Sequence, residues 1–400
     1  MAVSIAATLG GALLAMSTAS GAGSGVGSAP GGPEAVSEVA GSPAEQVLKI
    51  GPLVHRLLVV PIAGRFPHHV SPAAAAWNLR RYGVRTPTKV VHRFRPGGII
   101  YFDNNVATVD QVRRLSTGLQ RAARGEGYRL LIMTDQEGGR VSRLPGRAAN
   151  SQPAAASYHG HTRPARRDAR SVGAAMRRMG VLVNLAPVAD VNTVGDAGVI
   201  GDRSFGSTAL RVSRMVRAQI CGYHSGGVAT TLKHWPGHGS TRVDSHQRLP
   251  RLRLPIPRWR RVHMPPFRDG IARGADLVMV GHLAYPALDR TGRPASLSRR
   301  LNAHWLRGRF DFGGVVITDS LTMGALRNFG RSGRLAVRAH RAGSDLLLMP
   351  GWPRAAARRL ASAVRRGTIT RARVRVSVAR VRHLQDELGL LPGPATLRGC

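Results

Sequence analysis

The chain has 400 residues, of which 43% are apolar and 20% are charged. This length and composition exclude a mini-protein or a wholly disordered chain and are enough for one large domain or two ordinary ones with a substantial core. Basic residues outnumber acidic ones by 59 to 21, which gives a net charge of +38, almost all of it from arginine. Because the arginines are scattered rather than clustered, we expect a solvated surface and no specific nucleic-acid partner. Weak adhesion to an anionic cell-envelope polymer is an alternative.

The amino-terminal segment begins with an apolar run, VSIAATLGGALLAMSTA, followed by small residues near Ala19 and Ala22. The run resembles a secretory signal, which favours a secreted or envelope-associated protein, although no basic residue precedes it. A cytoplasmic protein with a disordered tail is the alternative. Residues 21–44 are rich in Gly, Ser, Pro and Ala and are predicted to be a disordered linker. No later run is long and apolar enough to be an integral membrane span.

The remaining chain alternates between two kinds of segment. Eight apolar runs are predicted to be buried strands: LLVVPIAG from Leu57, GGIIYF from Gly97, RLLIMTD from Arg129, VLVNLAPV from Val181, VATTLKH from Val228, DLVMVGH from Asp276, GVVITDS from Gly314 and DLLLMPG from Asp345. The segments between them, such as 109–126 and 208–226, have helical periodicity.

This alternation predicts an α/β fold in which eight right-handed strand-helix units close into a single (β/α)8 TIM-type barrel. The main alternative, a doubly wound open sheet, typically has a glycine-rich phosphate-binding turn, G-x-G-x-x-G, after the first strand. The corresponding segment here, PIAGRF, does not match that pattern. We divide the chain into a signal-like segment and linker at 1–45, the barrel at 46–393 and a tail at 394–400.

Polar residues follow several of the predicted strands: Asp135, Asp190, Lys233, His234, His282 and Asp319. In such barrels the active site lies where strands end. A helix cap or a strand-end hydrogen bond explains any one of these residues alone, but together they indicate a site. Asp319 is the candidate nucleophile, because it ends an apolar strand and arginines or Lys233 nearby would keep it ionised.

Residues 233–250, KHWPGHGSTRVDSHQRLP, which we call the histidine loop, contain His234, His238 and His246. Their spacings of four and eight match no standard zinc pattern, so we expect neither a metal nor another cofactor. The pair Asp244 and His246 indicates an acid/base dyad instead. A carboxylate that accepts a hydrogen bond from one imidazole nitrogen leaves the other free to exchange a proton with substrate.

Five ordered strings resemble glycoside hydrolase family 3, specifically its single-barrel β-N-acetylglucosaminidases, over residues 50 to 352. They are TDQEGGRVSRLPG (134–146), NLAPVADVN (184–192), GDRSFG (201–206), KHWPGHGSTRVDSH (233–246) and ITDSLTMGAL (317–326). The resemblance implies that Asp319 is the nucleophile of a retaining reaction and that His246, with Asp244, is the acid/base. It also implies that five residues bind the sugar: Asp135, Arg143, Arg203, Lys233 and His234.

The histidine loop departs from the family pattern in having Trp235 where phenylalanine is usual and an additional Arg242. The resemblance implies removal of terminal β-linked N-acetylglucosamine, with peptidoglycan fragments (muropeptides) as the suggested substrates. A β-N-acetylglucosaminide phosphorylase and a β-glucosidase or β-xylosidase of the same family remain alternatives. So does a catalytically silent protein that binds cell wall or nucleic acid. A metal-dependent barrel hydrolase would want an H-x-H pair on the first strand, which LVVPIAGRF lacks.

Overall fold

The computed structural model of the protein describes residues 50–392 and 394–397. The predicted signal-like segment and linker lie outside these residues, so the proposed boundaries at 45 and 393 stay predictions. Within the described part of the chain, no helix combines the length and apolarity that a membrane crossing requires.

Eight strands lie within the described residues. Seven lie inside one of the eight apolar runs, and β5 extends one residue beyond its run, to Trp235. All neighbouring strands in the two sheets pair in parallel. They are β1 (Leu58–Pro61), β2 (Gly98–Ile100), β3 (Leu131–Thr134), β4 (Val183–Asn184), β5 (Thr231–Trp235), β6 (Leu277–Val280), β7 (Val315–Thr318) and β8 (Leu347–Leu348). The predicted α/β fold with parallel strands is therefore confirmed.

The strands form two sheets, one in the order β4-β3-β2-β1-β8 and the other in the order β5-β6-β7. Isolated parallel pairings join residues beside the sheet edges: Val183 with Ala229, Val188 with Lys233, and Ile317 with Leu346. The segment that follows β4 contains Pro187, which has no N–H to donate, so a regular ladder cannot continue through it. The sequence predicted one ring of strands, whereas the regular hydrogen bonding defines these two sheets.

Helices occupy most of the intervals between strands, as the periodicity predicted. They are α1 (Ile50–His55), α2 (Pro72–Tyr82), α3 (Pro87–Phe94), α4 (Val109–Gly125), α5 (Thr162–Arg178), α6 (Ala209–Ser225), α7 (Ile256–Val262), α8 (Met264–Ala272), α9 (Ser332–Ala342), α10 (Pro353–Arg365) and α11 (Arg371–Glu387). Arg300–Arg309 forms a π-helical segment between β6 and β7. In α4, Val112, Leu115 and Leu119 recur at helical spacing and are buried, which explains why this segment forms a helix against the strands.

The strands are buried on both faces, which is why their sequences are continuous apolar runs rather than alternating ones. One core cluster joins strand residues such as Val59 and Met279 with Leu384 of α11. Gln385 of the same helix donates to the carbonyl oxygen of Arg129, just before β3. Helix α11 thus packs near the amino ends of the strands, and the carboxyl ends are left for the polar residues.

Candidate active site

Three of the predicted sugar-binding residues meet around a carboxylate that received no role from sequence reasoning. Lys233 Nζ lies 2.5 Å from Asp135 Oδ1 and 2.6 Å from Glu137 Oε1. Arg203 donates from Nε and Nη2 to the two oxygens of Glu137, at 2.7 Å each. Residues from the β3 end, the β4–α6 connection and β5 therefore form one ionic cluster.

Lys233 and Glu137 are buried at the centre of the ionic cluster, Asp135 and Arg203 are partly buried, and the opposite charges stabilise one another. Lys233 is 1% exposed, and although burial lowers the pKa of its amine, Asp135 and Glu137 outweigh that effect and raise it. Burial likewise raises the pKa of Glu137, but Lys233 and Arg203 bring it far below its ordinary range. The sequence analysis predicted two cations, Lys233 and Arg203, at the rim. Buried cations need carboxylate partners, and this requirement could have identified Glu137, which is two residues after Asp135.

Asp190 organises the beginning of the histidine loop. This carboxylate is fully buried and accepts hydrogen bonds from His234 Nδ1 at 2.7 Å and from the His238 backbone N–H at 2.6 Å. Burial raises the pKa of Asp190, but His234 opposes it strongly enough to leave the pKa below its ordinary value. The sequence analysis placed Asp190 at the rim but gave it no role. In the structure, its hydrogen bond to Nδ1 orients the His234 ring.

The histidines considered as zinc ligands have other partners. His234 contacts Asp190, while His238 Nε2 lies 2.8 Å from Ser245 Oγ. Burial, with a contribution from His234, lowers the pKa of His238 to about 4, so its imidazole is neutral at neutral pH. In the part of the chain that the structure describes, no group of three or more His, Cys, Asp or Glu side chains is arranged to hold a metal ion.

Asp319 follows β7 directly and is partly buried. Its Oδ1 accepts a hydrogen bond from the Ser320 backbone N–H at 2.7 Å. Burial raises the pKa of Asp319, but His282 and His234 more than offset this, with smaller contributions from the Ser320 N–H and from Lys233, and the pKa lies below its ordinary value. The sequence analysis named arginines or Lys233 as the groups that would keep this carboxylate ionised; Lys233 contributes, but the two imidazoles have the larger effects.

His282 is a buried neighbour of Asp319 with both ring nitrogens engaged. Nδ1 lies 2.8 Å from Ser296 Oγ, and Nε2 lies 2.9 Å from the Ser320 carbonyl oxygen. A carbonyl oxygen only accepts, so Nε2 carries the proton in this contact. His282 therefore ties the end of β6 to the residue after Asp319.

The predicted dyad is formed. Asp244 Oδ1 accepts hydrogen bonds from His246 Nδ1 at 2.7 Å and from the His246 backbone N–H at 2.9 Å. Burial raises the pKa of Asp244, but both of these donors lower it, with the net effect below its ordinary value. The His246 side chain is 70% exposed, so its Nε2 is on the solvent side of the contact with Asp244.

Backbone contacts hold the dyad beside the segment that carries Asp319. The N–H of Gly324 donates to the His246 carbonyl oxygen at 2.8 Å, and the N–H of Ala325 donates to the Ser245 carbonyl oxygen at 3.1 Å. A Cβ at Gly324 would lie 2.3 Å from the Gln247 carbonyl oxygen, so this approach requires glycine. The histidine loop and the residues after β7 are therefore in direct contact.

Arg143, another predicted sugar-binding residue, lies apart from the ionic cluster. Its Nη1 is 3.4 Å from Asp103 Oδ2, in the segment after β2, and its backbone N–H donates to Gln136 Oε1 at 2.8 Å. Gln136 is fully buried, so it fixes the turn on which Arg143 stands. The structure thus places Arg143 on the β2 side of the rim.

The two departures in the histidine loop have different surroundings. Trp235 is fully buried and makes edge-to-face contacts with Trp259 and Phe267, with ring centroids 5.8 and 5.3 Å apart. Trp235 therefore packs into the core at the end of β5. Arg242 is exposed to solvent.

Comparison with known proteins identifies relatives in sequence and in structure. The sequence model described as the glycosyl hydrolase family 3 N terminal domain matches residues 82–384. Beta-hexosaminidase A of Pseudoalteromonas piscicida is 34% identical over 282 residues, which cover 66% of this chain and 47% of that protein. An uncharacterized secreted glycosyl hydrolase of Arthroderma benhamiae is 31% identical over 313 residues, covering 75% and 87% of the two chains.

A solved structure of a family 3 β-N-acetylglucosaminidase from Paenibacillus sp. FPU-7 superposes with a TM-score of 0.79 at 36% identity. The match covers 87% of this chain and 64% of that one. The chain spans about half the length of the Pseudoalteromonas relative. Since the family model matches most of the described residues, the chain belongs to glycosyl hydrolase family 3, the family that its sequence motifs predicted.

Proposed function

We propose that the protein is a retaining exo-β-N-acetylglucosaminidase that removes terminal β-linked N-acetylglucosamine. The observation that carries the proposal is the pairing of two features at one rim. Asp319 is a carboxylate whose pKa is below its ordinary value, and the Asp244–His246 dyad is hydrogen-bonded, through its backbone, to the segment that follows Asp319. An ionised nucleophile and a separate proton donor are the two groups that retaining hydrolysis requires.

In the first step, an oxygen of Asp319 attacks the anomeric carbon as the bond from that carbon to the leaving oxygen breaks. His246 donates the proton on Nε2 to the leaving oxygen, and a glycosyl ester forms on Asp319. Asp244 holds Nδ1 protonated, which leaves Nε2 as the nitrogen that exchanges protons. The positive charge that His246 carries before the step is thereby stabilised by a neighbouring carboxylate.

In the second step, neutral His246 removes a proton from a water molecule, whose oxygen attacks the anomeric carbon. The ester bond to Asp319 breaks and the carboxylate is regenerated, so the sugar leaves with its original anomeric configuration. The dyad then carries the proton that it donated at the start, and atoms and charges balance over the cycle.

The remaining predicted residues have the chemistry of a sugar site. Asp135, Lys233 and Arg203 are charged donors and acceptors fixed by the ionic cluster, and Asp190 orients His234. Preorganised groups of this kind stabilise a transition state better than mobile ones, because they do not have to be ordered during the reaction. We assign them, with Arg143, to the hydroxyl and acetamido groups of the sugar.

We also propose that the two sheets belong to one complete (β/α)8 barrel. The parallel pairings of Val183 with Ala229 and of Ile317 with Leu346 support closure at both sheet boundaries.

A secreted or envelope-associated location is supported by the apolar amino terminus and by the description of one relative as secreted, with a cytoplasmic location as the alternative. Peptidoglycan fragments as substrates and adhesion to an anionic envelope are compatible with the basic composition.

The direct test is hydrolysis of 4-nitrophenyl β-N-acetylglucosaminide compared with the corresponding β-glucoside and β-xyloside, with and without phosphate. We expect the N-acetylglucosaminide to be preferred and free sugar of retained configuration, seen by NMR, to be the product. Preference for either other sugar, or a sugar 1-phosphate as the main product, would favour the alternatives of the same family. No turnover of any glycoside would favour a catalytically silent binding protein.

Two variants with matched controls test the residue roles. Asp319→Asn should lower kcat by about four orders of magnitude or more, because it removes the nucleophile, whereas Asp110→Asn on the exposed face of α4 should not. His246→Ala should lower kcat/KM by about 10²- to 10⁴-fold for a poor leaving group and less for nitrophenol. His383→Ala is the control, since its side chain is 72% exposed. Covalent trapping by a 2-fluoro sugar on any residue except Asp319 would refute the mechanism.

A further inference from the structure

A cavity of about 570 Å³, which we call the arginine cavity, is formed where the β6–β7 connection, α9 and the amino end of α11 meet. None of the candidate site residues, all of which the structure describes, lines it. Sites for small organic molecules usually have volumes of roughly 300 to 1,000 Å³. The arginine cavity is therefore large enough for such a ligand and is separate from the proposed chemistry.

Arginine dominates the wall of this cavity. The β6–β7 connection contributes Arg293 and Arg299, α9 contributes Arg338 and Arg341, and α11 contributes Arg373. Among the described residues that form the wall, none is Asp or Glu. A concave surface lined by one sign of charge focuses its electric field and concentrates ligands of the opposite sign. These arginines are far apart in the sequence, so the fold brings them together.

Two of the arginines repel each other within one helix. Arg338 and Arg341 are three residues apart on α9, so their side chains lie on the same face, and both are exposed. Like charges at this spacing destabilise a helix. Arg338 donates to the Phe329 carbonyl oxygen, but neither arginine forms an ion pair with a carboxylate in the described part of the chain. A bound anion would relieve this repulsion.

The amino end of α11 adds positive potential to the same wall. Thr370 is the cap of this 17-residue helix, and its hydroxyl oxygen accepts from the Arg373 backbone N–H at 3.1 Å. The first N–H groups of a helix have no partners within the helix and carry a partial positive charge, which favours Asp or Glu nearby. The first turn of α11 contains no acidic residue and instead carries Arg371 and Arg373. An anion would be stabilised at this end of the helix.

The carboxylate that pairs with Arg373 is already shared. Asp345 is fully buried, and its Oδ1 lies 3.1 Å from Arg373 Nη1 and 3.3 Å from Arg380 Nη1, while its Oδ2 lies 2.5 Å from Arg307 Nη2. Burial lowers the pKa of the Arg307 guanidinium to about 10; Asp345 opposes this effect, and the positive charges of Arg380 and Arg373 add to it. Three cations on one carboxylate leave an excess of positive charge behind the cavity wall.

A second nearby carboxylate, Asp289, does not neutralise the cavity. It is buried and accepts hydrogen bonds from the Ser298 hydroxyl and from the Thr291 backbone N–H. Burial raises its pKa, but these two donors, with a smaller contribution from Arg293, bring the pKa below its ordinary value. None of the described arginines forms an ion pair with it. The positive charge of the wall is therefore left for an external anion.

The arginine cavity also has an apolar part. Leu297, Ala342 and Ile369 line it and are buried in the fold, and Phe329 is half-buried beside them. An inorganic anion bound to the guanidinium groups would leave this apolar surface in contact with water. A ligand with both an anionic group and a carbon skeleton would cover the two parts of the lining together.

We propose that the arginine cavity binds a small organic phosphate that carries at least two negative charges. The phosphate oxygens pair with Arg299 and Arg341 and with the amino end of α11, and the organic part covers Leu297 and Ile369. Arginine suits this role because its planar guanidinium group can donate two parallel hydrogen bonds to a phosphate. Binding is independent of the proposed function, so a protein without glycosidase activity would bind the same ligand.

The test is isothermal titration calorimetry of the full-length protein at an ionic strength of about 0.15 M, where charges more than about 8 Å apart are largely screened. The probes are adenosine 5′-diphosphate, inorganic pyrophosphate and adenosine. We expect adenosine 5′-diphosphate to bind saturably at one site. Pyrophosphate should bind at least about threefold more weakly, because it lacks the part that covers apolar surface, and adenosine should not bind.

A pair of double variants locates the binding site. Arg299→Gln with Arg341→Gln should weaken binding of adenosine 5′-diphosphate by at least about tenfold, because two charge-assisted hydrogen bonds are lost. Arg300→Gln with Arg334→Gln is the matched control, since it removes the same charge from two exposed arginines outside the cavity and should have little effect. The cavity variant should be at least as resistant to denaturant as the control, because it relieves repulsion, whereas a structural role for these arginines would make it less resistant.

A third variant changes the wall without removing an arginine. Thr368 is an exposed residue of the cavity wall, and Thr368→Glu introduces a carboxylate that competes with the ligand, so binding should weaken by at least about tenfold. No saturable binding of adenosine 5′-diphosphate, or equal losses in the cavity and control variants, would overturn the inference. Pyrophosphate binding as tightly as adenosine 5′-diphosphate would overturn the assignment of an organic ligand.

Discussion

Replacing Glu137 by glutamine should destabilise the fold as well as the site. The ionic cluster contains two carboxylates, Asp135 and Glu137, and two cations, Lys233 and Arg203, so its net charge is zero. Glutamine leaves a net charge of +1 in the cluster and replaces one of the two oxygens that accept from Arg203 by an NH₂ group, which cannot accept. Removing one partner of a buried ion pair costs about 3 to 5 kcal/mol. We expect the free energy of unfolding of Glu137→Gln, measured with denaturant, to fall by that amount.

The pH dependence of this loss has a definite sign. The pKa of Glu137 is lower in the folded protein than in the unfolded chain, so its contribution is complete above about pH 5 and is lost as the pH falls towards the folded pKa. The difference between wild type and Glu137→Gln should therefore be constant near neutral pH and shrink in acid.

A matched control separates burial from the substitution itself. Glu126 also pairs with a cation, Arg95, and contacts His92, but the side chains of Arg95 and His92 are 44% and 49% exposed, and Glu126→Gln should cost less than about 1 kcal/mol. If Glu137→Gln and Glu126→Gln destabilise the protein equally, or if the loss at Glu137 does not diminish in acid, the reasoning about the buried cluster is wrong.

Three further changes have distinct expected results. His282→Gln should move the acid limb of kcat/KM to higher pH, because the pKa of Asp319 rises when its leading electrostatic partner is removed, and an unmoved limb would contradict that role. Gly324→Ala should lower kcat by about 10²-fold by displacing the histidine loop, whereas Gly125→Ala, where a Cβ meets open space, should not, as steady-state kinetics of both variants can show. Trp235→Ala should lower the free energy of unfolding by about 3 to 5 kcal/mol in denaturant titrations, and a loss near zero would mean that its buried ring is not part of the core.

The strands could be predicted from the sequence because a short run of neighbouring residues is enough to identify each one. A strand that is buried on both faces must be apolar throughout, so runs such as VVIT and LIMT are visible without knowledge of their neighbours. The regular helices between them were visible for the same reason. The two sheets with isolated pairings between them could not be predicted, because strand pairing depends on residues far apart in the chain.

Motif spacing located the candidate site, but not its internal contacts. Asp244 and His246 are two residues apart, so their hydrogen bond could be predicted. Glu137 and Arg203 are 66 residues apart, and no local pattern relates them. The sequence named arginines or Lys233 as the partners of Asp319 and did not find His282, the leading one, for the same reason: His282 follows a different strand, β6.

The sequence alone determined the family, the parallel α/β fold and the residue types at the strand ends. These features depend on residues that are close together in the sequence: apolar runs for buried strands and short motifs for the family. Only the tertiary structure decided which charges meet and that Arg143 stands on the β2 side of the rim. The physical reason is that electrostatic pairing and cavity shape depend on distances through space. Those distances arise only when the strands and helices pack together.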